Sequence, residues 1–76
     1  MVKIETRTCT AHVRAGELGA VIVSARAGEK AGVVNVRVGD DPASMVRDLQ
    51  GWLGFGAGQE RKILAAVKEL RNGGGL

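Results

Sequence analysis

The sequence contains no tyrosine, one phenylalanine (Phe55) and one tryptophan (Trp52) in 76 residues. A core made without aromatic rings has to come from Val, Leu, Ile and Ala, and a surface without them has no platform on which nucleobases stack. Cysteine is equally scarce. Cys9 stands alone, which excludes a disulfide or a cysteine-based zinc site within one chain and favours a reducing compartment. His12 is the only histidine, so any Ser-His-Asp or Cys-His arrangement has to be built around it. Cys9 lies three residues before it, and in an extended strand positions i and i+3 point to opposite faces, which separates thiol from imidazole. The composition therefore predicts no catalytic residue, no metal ligand and no cofactor site, and the protein is read as not an enzyme. No apolar run approaches the roughly 20 residues of a membrane-crossing helix; Ala20-Val21-Ile22-Val23 is of strand length. The opening Met-Val-Lys-Ile-Glu carries an acid and no apolar run of seven or more, so no secretory signal is expected and the expected location is cytoplasmic, in a host cell.

Apolar residues make up 45% and charged residues 25% of the chain, ordinary values for a globular domain, and the length allows one small core. Glycine is in excess at 12 residues. Because it is scattered between patterned segments, it reads as punctuation rather than as a linker. The formal charge of +3 is unevenly placed. Residues 1–39 hold Lys3, Arg7, Arg14, Arg26, Lys30 and Arg37 against Glu5, Glu17 and Glu29, whereas residues 40–76 hold five bases and five acids. The whole excess lies on the first half, where it can steer an anionic partner.

The hydrophobic period changes near Asp40. Before it, short β-branched runs alternate with Gly-containing turns; after it, apolar residues recur at helical spacing. In Val2–Val13 the apolar parity slips, from Ile4 on the even face to Cys9, Ala11 and Val13 on the odd one. That pattern fits either one strand with a bulge near Arg7 or Thr8, or two strands. Gly16 and Gly19 bracket a turn, Leu18–Arg26 reads as a central strand, Gly28–Gly32 as a hairpin loop, and Val33–Val38 as a half-buried strand with Val34, Val36 and Val38 inward.

Asp41 then suits a helix N-cap and Pro42 the first helical position. Met45, Val46, Leu49, Trp52 and Leu53 form one apolar stripe, Gly54–Gly58 ends that helix, and a second runs from about Gln59 to Arg71 through Ile63, Leu64, Val67 and Leu70. Asn72-Gly73-Gly74-Gly75 closes it as a C-cap. The predicted architecture is α+β: an antiparallel sheet of three or four strands covered on one face by two C-terminal helices, with a single domain over residues 1–72 and a flexible Gly-rich tail over 73–76.

Two motifs invite chemistry and have simpler roles. Asp40-Asp41 is a carboxylate pair, but directly before Pro42 and a helix it reads as a cap complementing the positive helix end. Gly54-Phe55-Gly56-Ala57-Gly58 resembles a phosphate cradle, yet it follows no strand and lacks Gly-Lys-Ser/Thr, so a turn needing positive φ accounts for it. The strand arginines are the better lead. Arg7, Arg14, Arg26 and Arg37 are the predicted partner-binding residues, able to meet an acidic protein surface or a phosphate backbone.

Thr10-Ala11-His12 after a charged first strand, and Leu49-Gln50-Gly51-Trp52-Leu53-Gly54 followed by a Gly-rich turn and an Arg-Lys-Ile helix, resemble a small phage anti-CRISPR family acting on type I-F systems. The resemblance implies a β-sheet-then-two-helix protein that binds the backbone subunits of the type I CRISPR surveillance complex and blocks target-DNA recognition without catalysis. That family grips its complex through sheet tyrosines, and this sequence has none, so no contact residue is carried over. The expected function is thus a phage or mobile-element inhibitor of a type I CRISPR effector; the alternative is a small basic nucleic-acid-binding domain contacting phosphates through the strand arginines. No membrane partner is expected, and the chain is read as a monomer or a homodimer, an exposed edge strand being the enabling feature for the latter.

Overall fold

In the computed structural model, which describes residues 2–73, four strands precede two helices: β1 (Val2–Glu5), β2 (Thr10–Ala15), β3 (Val21–Ala27), β4 (Lys30–Val36), α1 (Pro42–Leu53) and α2 (Ala57–Gly73). The strands pair antiparallel in chain order, β1-β2-β3-β4. Both helices lie on one face of this meander, giving the α+β architecture expected. The tail expected over residues 73–76 falls, from 74 onward, outside the described residues, and α2 extends to Gly73.

The parity slip in the first run resolves as a break into two strands. Between them Thr6 closes a tight turn. Its main-chain N–H donates to the Cys9 carbonyl at 2.8 Å and its hydroxyl to the same carbonyl at 3.2 Å, while the Cys9 N–H donates back to Thr6 Oγ1 at 3.1 Å. A side chain thus satisfies the main-chain groups that a continuous ladder would have used.

The next hairpin is tighter than the composition implies. Gly28 and Glu29 alone form its loop, with Gly28 at φ 63° and Ala27 facing Lys30. A positive φ at the first central position alone fits a type II′ turn, whose twist matches the flanking strands. Lys30, Ala31 and Gly32, expected in the loop, therefore belong to β4. The same shift ends β4 at Val36, and Val38, expected inward, is 71% exposed. Leu18, expected at the head of β3, sits instead in a one-turn 3₁₀ segment, Glu17–Gly19, at φ 57° and 96% exposed.

The core lies between the sheet and the helices. Val13, Val21, Val23, Val36, Val46, Ile63 and Val67 are fully buried, so apolar burial rests on branched aliphatic side chains, each worth about 1.5–3 kcal/mol. Helix α1 packs mainly on β4 and α2 mainly on β2. Asp41 caps α1, its Oδ1 accepting from Ala43 N–H at 3.2 Å, and Pro42 follows as first helical residue. Gly54 closes it at φ 79°, donating to the Gln50 carbonyl at 2.6 Å. Two positions in the helical half depart from the stripe pattern. Phe55, in the connecting turn, is buried, whereas Trp52 is 57% exposed. Gly32 explains the latter: an added Cβ would stand 2.7 Å from Leu49 Cδ1 and 3.3 Å from Trp52 Cδ1. The missing side chain lets α1 come close beneath β4 and brings the indole out at the sheet edge.

Candidate functional site

The helices cover one face of the sheet, so the even-numbered positions of β2 and β3 and the odd-numbered positions of β4 face outward. Thr10, His12 and Arg14 stand on β2, Ile22, Ser24 and Arg26 on β3, and Ala31, Val33 and Asn35 on β4; each of these is half-buried or exposed. Register aligns them in rows: Thr10–Arg26–Ala31, His12–Ser24–Val33 and Arg14–Ile22–Asn35.

The predicted arginines divide between the two ends of this face. Arg14 and Arg37 line one depression together with Glu17, Leu18, Ile22, Asn35 and Val38, the Glu17 carboxylate forming no ion pair with either guanidinium. Arg26 lines a second, shallower groove with Thr10, His12, Ser24, Ala31 and Val33. The two arginine rows are four residues apart along β3, about 13 Å at strand rise. Arg7 belongs to neither, lying in the exposed turn between β1 and β2. Among the described residues the one ion pair joins Lys3 and Glu5 at 3.9 Å, so all four guanidinium groups are free of carboxylate partners.

The reactive side chains are dispersed. Cys9 is buried on the helix side, and burial pushes its thiol up from its ordinary range, with the polar Gln59 side chain drawing it partly back. Gln59 is itself buried and donates to the Ile4 carbonyl at 3.2 Å, tying α2 to β1. His12 is on the opposite face of the sheet, so thiol and imidazole are held apart by the backbone. The two adjacent aspartates are also divided: Asp41 caps α1, while Asp40 Oδ2 accepts from Arg37 N–H at 3.0 Å. Among the described residues no three His, Cys, Asp or Glu side chains converge as metal ligands, and no helix is long and apolar enough to cross a membrane. The Gly54–Gly58 turn is occupied by its own contacts, Gln50 Nε2 donating to the Phe55 carbonyl at 2.7 Å and Glu60 N–H to the Gly56 carbonyl at 3.0 Å.

What the arrangement offers is contact: donors on the outward face, and apolar side chains among them. These are Leu18 and Val38, expected within strands, and Val33, which is 64% exposed and was not expected at the site. For Val33 the signal was present, since it shares the parity of Asn35 and Arg37. Neither aromatic residue contributes, Phe55 lying in the core and Trp52 at the edge of β4. No family model, curated protein or solved structure matches the chain.

Proposed function

We propose that the protein is a non-enzymatic inhibitor that docks the open face of its sheet on an acidic surface of a partner complex. The type I CRISPR surveillance complex is the partner class implied by the resemblance in the β2 and α1 segments. The observation that carries the reading is the combination, on one uncovered face, of three arginines without acidic partners and of apolar side chains exposed beside them. Interfaces of this kind gain affinity from apolar anchors in desolvated pockets, and orientation and on-rate from surrounding charge.

A nucleic-acid partner would use the same guanidinium groups on phosphates. The open face has no aromatic residue on which a base stacks, so this second reading is restricted to backbone contact.

The test is target-DNA binding by purified type I-F complexes and related type I subtypes with the protein at saturation. Loss of target binding, reversed by Arg14→Glu with Arg37→Glu, is the expected result; full target recognition in every subtype overturns it. A mobility shift of duplex DNA with the protein alone, weakening with salt at a log–log slope of about −0.9 per phosphate contacted, moves the assignment to the second reading.

A further inference from the structure

The two edges of the sheet are unlike. β1 is four residues long and carries Lys3 and Glu5, which pair with each other. Short length and charge are the usual protection of an edge against pairing with another chain. β4 is seven residues long, and from Ala31 to Val36 it has no charged residue and no proline.

Register defines which main-chain groups of β4 are free. In a two-residue hairpin the residues flanking the loop, Ala27 and Lys30, exchange both hydrogen bonds. Alternation then turns Gly32, Val34 and Val36 toward β3, and Ala31, Val33 and Asn35 toward the outside. The Ala31 carbonyl is closed by the indole, Trp52 Nε1 donating to it at 3.3 Å. At the far end Arg37 is closed by Asp40, which accepts from its N–H at 3.0 Å and donates its own N–H to its carbonyl at 3.0 Å. Between these caps Val33 and Asn35 keep both N–H and C=O unpaired.

We infer that this window is a strand-pairing site for a second copy of the chain. The two caps are equidistant from Val34, at three residues on either side. An antiparallel two-fold through Val34 therefore sets Val33 against Asn35 of the second copy and Asn35 against its Val33, giving four main-chain hydrogen bonds. The same operation sets Ala31, its carbonyl taken by the indole, against Arg37, which has no main-chain group left to offer, so the ladder ends there. No like charges meet across the window, because residues 31–36 are uncharged. The result is one eight-stranded sheet whose open face is continuous across both copies. A three-residue window is small beside the roughly 1,200 Å² of a stable complex, so the pairing is weak and reversible, and it is independent of the partner proposed above.

Sedimentation velocity and amide NMR spectra of the protein alone, from about 10 μM to about 1 mM, span the relevant affinities. The expected result is a mass rising toward two chains, with concentration-dependent shifts centred on the Val33, Val34 and Asn35 amides. Val33→Lys, a change at an exposed position, should weaken association at least about tenfold. Its circular dichroism should stay as in the parent chain; if it does not, Asn35→Lys replaces it. A single-chain mass at the highest concentration overturns the proposal. So does an association that both lysine variants leave unchanged, or one whose shifts map to β1 or to the helices.

Discussion

Position 32 shows how much a single missing carbon decides. Gly32 is read from the sequence as part of a turn, yet it lies inside a strand, with Leu49 and Trp52 occupying the space of its absent side chain. The reason was not visible locally, because it is a contact with residues 17 and 20 positions further on. Gly32→Ala is expected to destabilise the fold by about 1–3 kcal/mol through overpacking, measured as a lower urea midpoint with unchanged slope. Cys9 has a different consequence. Its thiol is held above its unfolded value of about 8.5, so it binds its proton more tightly folded than unfolded. Its contribution is complete below that pH and is lost as pH rises through the folded value. Chemical denaturation from pH 7 to 10 should show stability falling on the alkaline side, with the fall reduced in Cys9→Ala; equal slopes in the two proteins would contradict this. The separation of Cys9 from His12, by contrast, was legible in their spacing, since strand alternation alone dictates it.

Among the elements, α1 was the most legible because its signals are local. Asp41, Pro42 and Gly54 act at its ends through their own side chains and φ values, and the apolar spacing between them needed no knowledge of the sheet. Within it Gly51 has open space around an added Cβ and lies in the helical region. Gly51→Ala should therefore raise stability by about 0.5–1 kcal/mol, visible as a higher thermal midpoint. The opposite signs expected for the same substitution at positions 32 and 51 test the packing argument directly. The strand boundaries were less legible. Lys30-Ala31-Gly32 has the composition of a loop, and only the pairing of Ala27 with Lys30 reveals that two residues suffice for the turn. The turn bracketed by Gly16 and Gly19 was legible from its glycines, but Leu18, expected at the head of the following strand, lies within that turn in a conformation that its side chain disfavours.

At the scale of the whole molecule, the change of period at Asp40 was enough to anticipate a meander followed by covering helices, and hence an uncovered face. The placement of the four arginines, three on that face and Arg7 in the turn beside it, was not legible. Which of them meet depends on strand register and on the turn that carries Arg37 past the end of β4. Because Arg14 and Arg37 are exposed and unpaired, Arg14→Glu with Arg37→Glu should leave folding stability within about 0.5 kcal/mol of the parent. Thermal unfolding checks that directly, and a large loss of stability would mean these side chains serve the fold rather than a partner.

The order of the elements along the chain has a further consequence during synthesis. Hairpins form in about 1–10 μs, so the meander can assemble as soon as Val36 is free of the ribosome. Its underside, lined by Val13, Val21, Val23 and Val36, stays wet until α1 and α2 arrive. The 37 residues from 37 to 73 take roughly 2–7 s to translate at about 5–20 residues per second. For that interval the nascent chain presents an apolar sheet with an unguarded edge, so its exposure to aggregation is greatest then rather than in the finished protein.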